Sequence, residues 1–283
     1  MRIAITIPTY YRPRQLTTVI SALHDTASGQ HEYEFVVGVN TGDEGSLQAL
    51  NALSVEVQIK IVCADPLPTL GEISNRLLRG IDADVYCWLA DDIVPLAQYW
   101  DRRIEAVFRK YQLPAFCWTE LNDSNNTTYP IISRALMNAI GPKMWAEWFP
   151  YWFIDTWLAE VYFFAFGERL AVCKDLPLGG KRGYTTGAHD LPYWFKFFAI
   201  TRRDRITEAQ RVADAFGLNI DVASVRRDAI DSCESWDAMQ LRRIPTYIEH
   251  LAPSLKEPPS RYWIARARAD AYLTNLDKAI LCP

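Results

Sequence analysis

Val85-Tyr86-Cys87-Trp88-Leu89-Ala90-Asp91-Asp92-Ile93-Val94-Pro95 is the stretch that decides the fold. An apolar run rich in aromatic and branched side chains, Val85 to Leu89, is too short for a helix and has no polar face. It reads as a strand buried on both sides, as in a parallel sheet. The run ends in two adjacent carboxylates, which repel one another unless a cation or hydrogen-bond donors offset their charge. Two readings follow. A hard divalent ion takes oxygen ligands and can bridge a diphosphate. Alternatively, the pair caps a helix beginning near Pro95.

Outward from this strand, the pattern alternates. Ile3 to Ile7 is a β-branched run closed by Pro8, and Leu16, Val19, Ile20 and Leu23 recur at helical spacing. Phe35 to Val39 reads as a second strand, ending in the turn Asn40-Thr41-Gly42-Asp43. Leu47, Leu50 and Leu53 mark a helix, Val57 to Cys63 a third strand, and Leu70, Ile73, Leu77 and Leu78 a third helix. A β-α-β-α-β-α-β order predicts an α/β fold with a mixed, mostly parallel sheet flanked by helices, and ligands beyond the carboxyl ends of its strands. The turns after the first, second and fourth strands therefore converge on one edge: Pro8-Thr9-Tyr10-Tyr11-Arg12-Pro13, Asn40 and Asp91-Asp92.

Further on, helices are expected over Ala97 to Tyr111, Arg134 to Ile140 and Thr156 to Phe164. Strands are expected over Ala115 to Trp118 and Leu170 to Cys173, the latter followed by the loop Pro177-Leu178-Gly179-Gly180-Lys181-Arg182-Gly183. Beyond Pro192 the pattern is mainly helical. We expect a nucleotide-binding half over 1–120, an acceptor half over 121–200 and a helical extension over 201–283.

Composition narrows the function. The 283 residues are 49% hydrophobic and 23% charged, the balance of a globular rather than a disordered chain. A formal charge of −4 gives no global basic field for nucleic acid. Arg pairs at 102–103, 202–203, 226–227 and 242–243 are interspersed with acids, as on solvated helix faces. The six cysteines form no CxxC pair, which argues against a zinc or thioredoxin-like motif and fits a reducing, cytoplasmic setting. The apolar stretch at the N-terminus is too short for a signal peptide. No apolar run reaches the ~18 residues expected of a transmembrane segment.

Three segments together resemble family-2 glycosyltransferases: Ile5 to Pro13, Gly71-Glu72-Ile73-Ser74-Asn75-Arg76-Leu77, and Trp88 to Pro95. They are similar to the opening strand and turn, the helix before the acidic motif, and the DxD-type acidic motif itself. The resemblance covers roughly the first 120 residues and more weakly extends to about 200. It implies a GT-A (Rossmann-like) fold and a nucleoside-diphosphate sugar donor, a UDP-sugar above all. It also implies a divalent metal, Mn2+ or Mg2+, and inverting transfer to an acceptor hydroxyl.

Under the resemblance, Pro8, Thr9 and Tyr10 cradle the base, and Arg12 and Asn75 lie in matching donor-binding segments. Asp91 contacts ribose or the metal's water, and Asp92 is the metal ligand. Relatives place an aspartate at the second strand end, where this chain has Asn40 (Asp43 follows slightly later); the amide carbonyl can still accept a hydrogen bond from a base. Ala90 replaces a third acid. Phe149-Pro150-Tyr151-Trp152-Phe153-Ile154-Asp155-Thr156-Trp157 is similar to the family's acidic helix start, which implies Asp155 as general base, with Glu147 and Glu160 in reserve. Asp155 equally suits a plain helix N-cap.

His189, in Thr186-Gly187-Ala188-His189-Asp190, lies where such enzymes bring a histidine to the metal; His189 and Asp190 both remain open as the group that reaches it. Lys181 and Arg182, on a glycine-bearing loop, can reach a diphosphate or form a solvated loop tip.

Two other classes share parts of this pattern. A nucleotidyltransferase has a similar sheet and acidic site but opens with a glycine- and basic-rich loop, absent from Pro8 to Pro13. A non-catalytic sugar-nucleotide-binding protein would keep the fold alone. The acceptor can be a glycan, a lipid-linked sugar, a protein or a hydroxymethylated DNA base. For the last of these, or for a membrane face, Tyr193-Trp194-Phe195-Lys196-Phe197-Phe198 is a surface candidate; core is the competing reading.

Overall fold

A computed structural model describes residues 1–64, 69–121, 127–141, 144–150, 153–180, 191–218 and 260–281. Two compact units are present. The first comprises Met1–Leu67, Ile73–Met144 and Glu168–Gly183; the second comprises Pro68–Glu72, Trp145–Gly167 and Tyr184–Pro283.

The first unit is built on one sheet. Its strands are β1 (Arg2–Pro8), β2 (Glu32–Asn40), β3 (Gln58–Ala64), β4 (Val85–Trp88), β5 (Val94–Pro95), β6 (Ala115–Glu120), β7 (Pro130–Ser133) and β8 (Val172–Gly179). Their spatial order is β3-β2-β1-β4-β7-β6-β8-β5. β1 pairs in parallel with both β2 and β4, and β2 with β3. Ile3, Ala4, Ile5, Thr6 and Ile7 are all buried, as a central strand covered on both faces requires.

The helices of this unit follow local rules. α1 (Pro13–Thr26) begins with proline at its first position and buries Leu16, Val19, Ile20 and Leu23. Each of those side chains stabilises the fold by about 1.5–3 kcal/mol relative to exposure. α2 (Glu44–Asn51) is capped by Asp43, which accepts the Ser46 N–H. Residues 73–77 of α3 (Leu70–Leu77), α4 (Trp100–Tyr111) and α5 (Arg134–Ile140) complete the set, with Ser133 capping α5.

Three strands differ from the sequence expectation, the two-residue β5 being one. β7 is an antiparallel partner of β4 and β6, yet Pro130-Ile131-Ile132 gives only two consecutive branched residues to read. β8 runs to Gly179 rather than stopping near Cys173, passing through Pro177 where the β6–β8 register shifts between Trp118 and Thr119. A strand proline, lacking an N–H, belongs at such an irregularity.

The second unit contains α6 (Ile154–Phe166), α7 (Leu191–Ile200), α8 (Arg202–Ala215) and α9 (Ser260–Leu281). Its core is aromatic. Phe149 lies 5.5–6.3 Å, ring centre to ring centre, from Phe153, Trp157, Trp194, Phe197 and Phe198. The 193–198 run is therefore core: Trp194, Phe197 and Phe198 are buried. Tyr262, Ala265 and Ala269 form a buried stripe on α9. Arg205 is 0% exposed, with its guanidinium 3.7 Å from the Phe198 ring centre and its Nε donating to Glu160 at 2.6 Å. Among the described residues, no helix is long and apolar enough to cross a membrane.

Candidate functional site

The order β3-β2-β1-β4 reverses at β1, which has β2 on one side and β4 on the other. In open α/β sheets the crevice at such a reversal, beyond the strand carboxyl ends, is where ligands bind. The Leu89 N–H donates to the Thr6 carbonyl at 3.0 Å, and the Thr9 N–H to the Gly38 carbonyl at 2.9 Å, so the ends of β1, β2 and β4 are tied together.

Across that crevice Thr9, Arg12, Asp91 and Asp92 meet. The Thr9 hydroxyl donates to Asp91 Oδ2 at 2.7 Å. One Arg12 nitrogen, Nη1, donates to Asp91 Oδ1 and Asp92 Oδ2, each at 2.9 Å. Asp91 is only 4% exposed, and this burial raises its pKa. The Arg12 charge and the Thr9 hydrogen bond oppose that rise, while the Asp92 charge adds to it. Neither aspartate caps a helix: β5 follows them, and α4 starts only at Trp100.

The turn after β2 is a second wall. Asn40 is buried, and its carbonyl accepts the Asp43 N–H at 3.0 Å. Besides capping α2, Asp43 accepts the Tyr11 N–H at 2.8 Å through Oδ2. The carboxylate that follows Asn40 is thus engaged in holding the two turns together. Tyr11 has φ of 54°, a left-handed conformation that costs a non-glycine residue energy. Its ring is 52% exposed and stands edge-on to Tyr10 at 5.0 Å.

A third wall comes from the edge strands. β5 pairs with β8, Val94 opposite Gly179 and Pro95 opposite Leu178. A Cβ on Gly180 would lie 2.3 Å from the Asp92 carbonyl oxygen. The chain therefore leaves β8 against the backbone of the acidic pair. Lys181, Arg182, His189 and Asp190 follow and lie outside the described residues.

No family model matches the sequence, and no curated protein matches it. Solved structures do match the fold. The mannosyltransferase PcManGT from Pyrobaculum calidifontis, in complex with GDP-Man and Mn2+, superposes with a TM-score of 0.53 at 14% identity, over 88% of this chain and 85% of that one. S. aureus TarS 1-349 in complex with UDP-GlcNAc gives 0.54 at 13% identity, over 80% and 69%. The longer S. aureus TarS structure gives 0.55 at 12% identity over 80% of this chain, which spans 41% of its length. The fold is GT-A.

Within this GT-A fold, the remaining sequence candidates fall as follows. Asn75 lies on α3, fully buried, beside Ser74, whose hydroxyl accepts the Trp88 indole N–H at 3.0 Å. Asp155 is half-buried in the first turn of α6; the N-cap position belongs to Phe153, so Asp155 is not the cap. Glu160 holds Arg205. Glu147 uses its backbone carbonyl to accept the Thr69 hydroxyl at 3.0 Å.

The donor set suits a divalent ion in chemical type. Asp91 Oδ1 and Asp92 Oδ2 face one common cationic atom, and both are hard carboxylate oxygens of the kind Mg2+ and Mn2+ prefer. Among the described residues, no group of three or more His, Cys, Asp or Glu side chains is placed to hold a metal. Sequence reading placed Arg12 near the donor but missed its grip on the acidic pair, since these residues lie 79 and 80 positions apart.

Proposed function

We propose that this chain is an inverting glycosyltransferase that moves a sugar from a nucleoside-diphosphate sugar, a UDP-sugar in the first instance, to an acceptor hydroxyl. The observation that carries the reading is the meeting of Thr9, Arg12, Asp91 and Asp92 at the reversal between β1 and β4. In support, two solved proteins of this fold carry sugar nucleotides, GDP-Man in one and UDP-GlcNAc in the other.

In this reading, residues 1–120 bind the donor, 121–200 the acceptor, and 201–283 form a helical extension. Pro8, Thr9, Tyr10 and Asn40 receive the base, and Asn75 supports the donor side from α3. Asp91, oriented by Thr9, accepts from ribose or from water on the ion. Asp92 and His189 would hold a divalent ion, Mn2+ or Mg2+. Such an ion, when bound, neutralises charge on the departing diphosphate. Arg12, Lys181 and Arg182 add fixed positive charge there. Asp155 takes the proton from the acceptor hydroxyl, whose oxygen bonds to the anomeric carbon as the bond from that carbon to the diphosphate breaks.

Incubation with UDP- and GDP-sugars, Mn2+ and a panel of glycan, lipid-linked and DNA acceptors tests this directly. Release of nucleoside diphosphate is the expected product. Release of pyrophosphate from a nucleoside triphosphate and a sugar phosphate would instead establish a nucleotidyltransferase. Tight donor binding without any transfer would establish a binding protein.

A further inference from the structure

We infer that Arg12 is a built-in competitor of the divalent ion: it occupies the cation position of the Asp91–Asp92 pair and gives it up only when a diphosphate arrives. This rests on the donor-and-metal reading above and adds an order to it, the ion entering with the nucleotide rather than ahead of it.

The geometry supports a shared position. A single nitrogen, Nη1, sits 2.9 Å from one oxygen of each carboxylate. An ion held by Asp92 Oδ2, with its water against Asp91 Oδ1, would compete for the place where the guanidinium nitrogen now stands. Two cations cannot share that point. Because a guanidinium keeps its charge at any working pH, deprotonation of Arg12 does not vacate the position. Exchange needs a rival for the two carboxylates or a new partner for the arginine.

Arg12 is held by its main chain independently of the ion pairs its side chain makes. Its backbone carbonyl accepts the Leu16 N–H at 3.0 Å as α1 begins, so the main chain is anchored by that helix. The Arg12 side chain is 19% exposed, against 6% for the Asp91 side chain. A planar fork of donors matches a diphosphate as well as it matches a carboxylate. Nucleotide binding thus offers Arg12 anionic oxygens in exchange for those it releases, and the two binding events become coupled.

The test is a Mn2+ titration of the full chain, followed by the loss of the free-ion electron paramagnetic resonance signal, with and without UDP or GDP. Without nucleotide, Arg12→Gln is expected to bind Mn2+ about tenfold more tightly than the wild type, while Arg12→Lys stays near it. Nucleotide should tighten Mn2+ binding in the wild type, and by a smaller factor in Arg12→Gln, since the coupling is reciprocal. Asp92→Asn should lose Mn2+ in every condition. Melting temperatures establish that each variant is folded. Equal Mn2+ affinity in wild type and Arg12→Gln overturns the assignment, as does failure of both to bind Mn2+. Mn2+ affinity in the wild type that is unchanged by a nucleotide shown to bind overturns it without recourse to any variant. Failure of UDP and GDP to bind at all, with the Arg12→Gln gain intact, instead overturns the donor reading.

Discussion

Gly180 and Asp92 touch through their backbones: a Cβ on Gly180 would stand 2.3 Å from the Asp92 carbonyl oxygen and 3.2 Å from the Ile93 Cα. That contact couples the exit of β8 to the acidic pair. A side chain there has no flexible neighbour to push aside, so the main chain carrying Asp92 must shift. Gly180→Ala is expected to lower stability by about 1–3 kcal/mol, the usual cost of overpacking. It should also weaken Mn2+-dependent nucleotide binding at least severalfold. Thermal melts and nucleotide titrations check both; unchanged nucleotide affinity would show that the contact does not position Asp92.

Asp91 gives a pH signature. Its pKa is raised, chiefly by burial, above the unfolded value of about 3.9. The folded protein therefore holds this proton to higher pH than the unfolded chain does. The associated stability is complete below about pH 4 and is lost as pH rises through the raised folded value. Asp91→Asn removes the titration. Its stability relative to wild type should increase across that window and level off above it, in urea melts between pH 3.5 and 7.5. A difference that shrinks with rising pH would show that Arg12 and Thr9 outweigh burial.

Glu160 is a structural partner of Arg205. Arg205 is fully buried, and the Glu160 side chain is 12% exposed. Removing one member of a buried pair leaves the other uncompensated, at a cost of about 3–5 kcal/mol. Glu160→Gln should thus lower the melting temperature markedly while transfer per folded molecule stays near wild type. An unchanged melting temperature with transfer abolished would make Glu160 the base.

Asp155 carries the opposite expectation. Asp155→Asn should keep donor affinity and melting temperature while transfer falls by about 10²–10⁴, the range for loss of a general base. Single-turnover assays against donor titrations separate the two; substantial transfer by the variant would remove Asp155 from the chemistry.

Much of the fold was legible because β1 to β4 announce themselves. Ile3 to Ile7, Phe35 to Val39 and Val85 to Leu89 are apolar runs closed by turns, and the alternation with helical spacing fixes a parallel sheet. The edge that joins Thr9 to Asp91 follows from that order alone. The far half of the sheet was harder. β5 is two residues long, β7 offers Ile131 and Ile132, and β8 continues through a proline, so their pairing depends on tertiary partners rather than on period. The acidic pair Asp91 and Asp92 stood out by residue type. The Arg12 bridge and the engagement of Asp43 with Tyr11 and α2 depend on spatial neighbours that no local pattern encodes.

The most direct measurement is a calorimetric titration of UDP-GlcNAc and GDP-mannose into wild type and Asp92→Asn, each with Mn2+ and again with a chelator. Saturable binding of at least one donor by the wild type, lost with the chelator and lost in Asp92→Asn, is the expected result. Equal donor affinity in all four conditions, or none in any, would contradict a metal-assisted donor site at the ends of β1 and β4.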